Sequence, residues 1–417
     1  EYYDHCADYG FGSQRSATFS IIDLSKIDDV LISMNEAFRV VYEQGDLGDV
    51  TRAVLEADSF GGNSVSEGYS NMLDHGNMLD QLSGYGQEVR DASQTLQSCV
   101  LYTMNGRLHK NASGLSVYYP VSIQGSEELK IFSRICPSNY YYALIDKIAY
   151  GAENGSAADY DNSTLLSDMA DINEWLGEES GFTGDVSTNA GEFADIEIGQ
   201  MGVSDIYFDE DGIYTVSFDN MDELAYACCS VGMDDDADGF FYLGTTEEVI
   251  YDIDRNCVTD NFDGSWPCIN DNLLALELVN TTDSCSIYTC NVLLNDEVET
   301  NLRIEYDWEY DEWSVIGIWD GIDEETGMAS REVYELQEGD VITPAYYWFS
   351  VDDDEDWYYG DDIVVDGDLE ITYEYLPEGV YYYCFELHDI YGNVYYTPFT
   401  LQYVDEDGEV WVDGEFY

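Results

Sequence analysis

The stretch Asp205–Asp219, "DIYFDEDGIYTVSFD", decides how the second half of this chain folds. Ile206 and Phe208 alternate with polar neighbours on one side of an Asp-Gly turn, and Tyr214, Val216 and Phe218 do so on the other. Apolar residues at period two, flanking a turn, place one face of each strand inward and predict an antiparallel hairpin. The same pattern recurs in "NLRIEYDWEY" (Asn301–Tyr310), "LEITYEYL" (Leu369–Leu376) and "GVYYYCFELHD" (Gly379–Asp389). Everything beyond about residue 185 therefore reads as all-β and sandwich-like.

Upstream the period changes. "SATFSIIDL" (16–24) reads as a buried strand. Ile27, Val30, Leu31, Met34, Phe38 and Val41 then recur at helical spacing, with Ser25 expected as N-cap and Gly45 as the stop. Further helices are expected at 47–58, 86–104, 126–134 and 138–150, with a strand over Gly114–Val121. The expected organisation is an α/β region over 1–150, a linker and helix over 151–180, a β-rich domain over 181–300 and a β-sandwich-like domain over 301–417.

Of the 417 residues 88 are acidic and 13 basic, giving a net charge of −75. Such a charge excludes nucleic acid and anionic membrane as partners, because both are bound through positive charge. No apolar run approaches the length of about 18 residues expected of a membrane span. Ten cysteines without a CxxC pair, together with Asn-x-Ser/Thr sequons at Asn111, Asn154, Asn162 and Asn280, point to a secreted or cell-surface protein containing disulfides.

Two acidic turns suit a hard cation. "DDDADG" presents Asp234, Asp236 and Asp238 at alternate positions before Gly239, and "DDDEDWYYGDD" presents Asp352, Asp354 and Asp356. Alternate carboxylates converge on one ion, so Ca²⁺ is the cofactor these turns suit, against the plainer reading of solvated acidic hairpins. Thr245 stands where an EF-hand needs its bidentate glutamate, so a complete EF-hand is excluded.

The four histidines give weak catalytic signals. His5 adjoins Cys6. His75 in "LDHG" has Asp74 beside it to orient it, but reads more simply as a polar residue capping a helix end. His109 reads as a surface turn residue rather than the edge of a cleft, and His388 as a hairpin residue.

Six landmarks carry a family likeness. "ATFSIIDLSKI", "FGGNSVSEGYSNMLDHGNMLDQL", "GLSVYYPV", "GFFYLGTTEEVIYD" with "VTDNFDGSWPCIN", "LLNDEVETNLRIEYDW" and "CFELHDIYGNVYYTPFTLQ" resemble, in order, segments of clostripain-like cysteine peptidases, over about Ala17–Gln402. The resemblance implies a caspase-like α/β domain, its later part supplied by the front half here, in an exported endopeptidase that cuts after Arg or Lys through a His/Cys dyad. Neither the "DACLMG"-like cysteine motif nor the Gly-His-Gly-like turn occurs in this sequence. The resemblance places both before Glu1, so it assigns no catalytic residue to this chain. It implies instead a partner, an N-terminal dyad-bearing segment of the same precursor, with peptide or protein as substrate. The alternative is a peptidase-derived surface, adhesion or filament subunit that performs no catalysis.

Overall fold

A computed structural model describes residues 18–61, 70–106, 109–121, 132, 136, 138–150, 200–210, 212–235, 239–282, 284–319, 321, 333–350, 354–405 and 408–417. The expected helix at 126–134 (Phe132 apart), the linker and the helix within 151–180, His5, Cys6, Asn154 and Asn162 lie outside them.

The front half packs helices around two small sheets. Strand β1 (Thr18–Ile22) leads into helix α1 (Ile27–Gln44), whose Met34, Ala37, Phe38 and Val41 are buried. Asp23, not Ser25, caps this entry: its carboxylate accepts from the Ser25 amide at 3.1 Å and the Ser25 hydroxyl at 2.6 Å, closing a short 3₁₀ turn over Leu24–Lys26. Helix α2 (Leu47–Leu55) starts on Asp46, which accepts from the Gly48 and Asp49 amides. Strand β2 (Met72–Asp74) runs into helix α3 (His75–Gln81), and helix α4 (Gln87–Cys99) follows.

Helix α4 stops five residues short of the end expected from its sequence. Val100 turns into strand β3 (Val100–Asn105), which pairs antiparallel with β1, Phe19 opposite Met104 and Ile21 opposite Tyr102. β-branched and aromatic residues there meet a partner strand, and pairing overrides helical propensity. The strand expected over Gly114–Val121 is reduced to β4 (Ser116–Tyr118), paired with β2. Helix α5 (Asn139–Tyr150) closes the core, its Tyr141 ring 4.5 Å from that of Phe38. Buried Asn35 anchors its start, accepting from the Ser138 hydroxyl at 2.9 Å and the Tyr140 amide at 3.3 Å.

Apart from a 3₁₀ turn over Met221–Glu223, the regular elements described in the second half are strands. The quoted hairpin forms as β5 (Val203–Phe208) and β6 (Tyr214–Phe218). Next come β7 (Leu224–Asp234), β8 (Gly239–Thr246), β9 (Val249–Asp252) and β10 (Cys257–Asp260). The chain continues through β11 (Ser265–Ile269), β12 (Asn272–Leu273), β13 (Leu276–Thr281), β14 (Cys285–Leu294) and β15 (Val298–Asp307). After these lie β16 (Glu312–Trp319), β17 (Val333–Tyr334), β18 (Val341–Ser350), β19 (Glu355–Tyr359) and β20 (Ile363–Val364). The last are β21 (Thr372–Tyr375), β22 (Gly379–Asp389), β23 (Val394–Tyr396), β24 (Thr400–Val404) and β25 (Val410–Val412).

Fourteen of these strands form one sheet whose spine runs β17-β16-β15-β14-β13-β8-β7-β22-β24-β25. The boundary expected at 300/301 falls inside β15, so the two expected β domains share this sheet. A four-stranded sheet, β5-β6-β10-β9, packs on it: Tyr214, Val216 and Phe218 meet Cys229, Val231, Tyr383 and Phe385 in one core. The two sheets bury one hydrophobic core between them, as facing β layers do. At the β8–β13 crossing, Gly244 sits at φ +115°, and a Cβ there would lie 1.5 Å from the Leu276 carbonyl oxygen. Only glycine fits that contact.

The halves touch through α2. Arg52 donates to the Asp222 carbonyl at 2.9 Å, and a Cβ on Gly48 would come within 2.5 Å of the same oxygen. No described helix is long and apolar enough to cross a membrane. The nine described cysteines are all free thiols, eight of them buried. The disulfides expected from composition are therefore absent among the described residues. These thiols pack as small hydrophobes instead.

Candidate functional site

Where the two halves meet, they enclose a cleft of about 460 Å³. Asp58, Asn77 and His109 line its helical side, and Cys285, Arg303 and Glu305 its β side. Asp58 is held by its backbone: its carbonyl accepts from the Asp74 amide at 2.7 Å, and its own amide donates to Asn77 Oδ1 at 3.4 Å. Its Oδ2 is buried with no hydrogen-bond partner among the described residues. Burial first, then the charge of Asp74, raises the Asp58 carboxyl to about 6. The His109 ring lies 4.8 Å from that of Phe60, and burial lowers its imidazole to about 4, so it is neutral. Arg303 is buried with its guanidinium 4.5 Å over the Trp319 ring. The cleft thus offers a polar ligand a carboxyl poised near neutrality, a neutral imidazole and a fixed cation. Sequons Asn111 and Asn280 both line it.

His75 is placed otherwise than its sequence suggests. It opens α3 rather than ending a helix, and it is 5% exposed with Nε2 unpartnered among the described residues. Asp74 does not orient it. Its two oxygens accept from the Asn77 amide at 2.9 Å and the Ser113 amide at 2.7 Å, capping the helix and holding the β4 approach. Burial lowers His75 to about 4. It is a neutral core residue.

The two acidic turns adjoin at one end of the large sheet, because Gly239 pairs with Ser350. Asp236, Asp238 and Asp352 lie outside the described residues. Of the others, Asp234 accepts from the Tyr382 hydroxyl at 3.4 Å, and Asp356 accepts from the Trp357 amide at 2.9 Å. The Asp354 amide donates to the Ser350 hydroxyl at 3.2 Å. Asp235 lies between these turns, its carboxylate accepting from the Gly239 amide at 3.1 Å and from Trp348 Nε1 at 2.7 Å.

A different cluster was missed by reading the sequence. Strands β7 and β22 run antiparallel, setting Glu386 opposite Cys228 and His388 opposite Tyr226. Alternation puts Glu386 and His388 on one face, where His388 Nε2 meets Glu386 Oε1 at 2.6 Å. The Tyr226 ring stacks on the imidazole at 4.1 Å and 14°. Ligand atoms of Cys228, Glu386 and His388 all lie within 4.8 Å of one another. Burial holds the Cys228 thiol well above its ordinary value, with the Glu386 charge adding to it. A nucleophilic dyad needs a depressed thiol beside a free imidazole nitrogen, and here the Nε2 is engaged by the carboxylate. The local signal was the Glu-x-His spacing of "FELHD"; the cysteine joins it only through strand pairing.

No protein-family model, curated protein or solved structure matches this chain.

Proposed function

We propose that this chain is the non-dyad portion of an exported clostripain-like cysteine endopeptidase, its front half completing a caspase-like catalytic domain whose histidine and cysteine are carried by an N-terminal segment of the same precursor. One observation carries the reading. Among the described residues, helices cover one face of the β1–β3 pair, while on the other Ile21 (46% exposed) and Tyr102 (50%) stand opposite each other at the surface. A two-stranded ribbon is marginal by itself, and α/β sheets carry cover on both faces. An apolar face of this kind calls for a covering element, and an α/β segment with its own strands and helices suits it. The acidity of the chain favours basic peptides, in keeping with cleavage after Arg or Lys.

The test is turnover of an arginine reporter peptide. The chain alone is expected to be inert, and the chain combined with the upstream segment of its precursor to cleave in a manner blocked by a thiol alkylator. Robust alkylator-sensitive cleavage by the chain alone overturns the reading, as does a precursor whose upstream segment holds neither motif.

A further inference from the structure

We infer that Cys228, Glu386 and His388 form a binding site for a thiophilic divalent cation, Zn²⁺ by its chemistry, independent of any peptidase dyad. The donor set is the first argument. A thiol sulfur, an imidazole nitrogen and a carboxylate oxygen are the three ligand types that zinc takes, and calcium or magnesium would not select the sulfur.

The second argument is placement. The three residues stand on adjacent central strands of the large sheet, with Glu386 directly across from Cys228 in the register. Their ligand atoms are already within 4.8 Å of one another, so a shared ion needs side-chain adjustment and no backbone movement. Cys228 is 1% exposed, whereas the side chains of Glu386 and His388 are each 13% exposed, so the cluster is a recess with one open side. Three protein ligands with an open fourth position leave room for water or a ligand on the metal.

The surroundings hold the ligands. Tyr226 stacks on His388 and fixes its ring plane, and Tyr396 stands opposite Glu386 on β23. Outer partners of this kind orient metal ligands. On binding, the Cys228 thiol gives its proton to solvent, the contact between Nε2 and Glu386 opens, and His388 takes the tautomer protonated on Nδ1. The Zn–S, Zn–N and Zn–O bonds replace one S–H bond and one hydrogen bond, and no redox change is needed.

Calorimetric titration with Zn²⁺ in excess Ca²⁺, which occupies the many exposed carboxylates, isolates the site. One equivalent is expected to bind, and Co²⁺ in its place is expected to give tetrahedral d–d absorption with a thiolate-to-cobalt charge-transfer band. Cys228→Ser should abolish that band, and His388→Gln should weaken Zn²⁺ binding by at least about tenfold. Because Cys228 is in the core, the His388→Gln and Glu386→Gln variants, checked for an unchanged metal-free unfolding midpoint, serve if the serine variant fails to fold. Absence of stoichiometric Zn²⁺ uptake, or uptake of equal affinity in His388→Gln, overturns the site.

Discussion

The hydroxyl of Tyr251 accepts a hydrogen bond from the Ala227 amide at 2.7 Å and donates one to the Ala227 carbonyl at 3.1 Å. Ala227 lies in β7 just before the point where β8 begins to pair, at Cys229 opposite Thr246. One phenol oxygen thus takes the place of a missing strand residue, satisfying both backbone groups of a residue that is 1% exposed. Tyr251→Phe keeps the ring and removes the oxygen, leaving a buried donor and acceptor unpaired. The expected loss is about 1–3 kcal/mol, read as a lower denaturant midpoint at unchanged slope. An unchanged midpoint would show that water replaces the hydroxyl.

The hairpins and α1 were legible because each obeys a local period: Tyr214, Val216 and Phe218 at two, Met34, Phe38 and Val41 at the helical repeat. The end of α4 was not, because the choice of strand at Val100 depends on β1, remote in sequence. The single 14-stranded sheet was illegible for the same reason, since local alternation specifies which face of a strand is buried but not its neighbour. The Cys228 cluster and the cleft between the halves are both products of such long-range pairing. The resemblance, which implies a larger domain around the front half, offered nothing at Cys228.

Three carboxyls favour the folded chain in mild acid. Glu248 is raised to about 7 by burial and then by the charges of Asp263 and Asp260. Asp260 and Asp58 are raised to about 6, each chiefly by burial. The folded state holds these protons more tightly than the unfolded chain, so their stabilisation is full below the ordinary carboxyl range and is lost as pH rises through 6–7. His75 and His109, lowered to about 4 by burial, act oppositely: their contribution is present above 6.5 and is lost as pH falls towards 4. The unfolding midpoint should therefore rise as pH falls from 8 to about 5, three carboxyls outweighing two histidines, and level off towards pH 4. Relief of the −75 net charge acts in the same direction as the carboxyls, so the variant Glu248→Gln separates the two. It should stabilise the protein at pH 8 by up to roughly 3 kcal/mol and flatten the rise between pH 8 and 6. A full wild-type slope in Glu248→Gln, measured at fixed ionic strength, would refute the assignment.

The open face of β1 and β3 allows folding and assembly to be tested apart. Ile21 is 46% exposed and faces Tyr102 across the ribbon, whereas its neighbour Ile22 packs on Val30, Leu96 and Cys99. Ile21→Glu therefore loses β propensity and little burial, at a cost of no more than about 1 kcal/mol to the isolated chain. It should also reduce binding of a hydrophobic dye to the isolated chain. Combined with the dyad-bearing segment proposed for the precursor, the same variant should fail to support cleavage of the arginine reporter, because a carboxylate would be buried unpaired at the contact. Ile22→Glu makes the opposite case: it should unfold the front half by placing a charge in the core, whatever partner is present. If Ile21→Glu instead destabilises the isolated chain as severely as Ile22→Glu, the face is covered within this chain and the assembly reading fails. If it leaves both stability and restored cleavage intact, the covering element binds elsewhere.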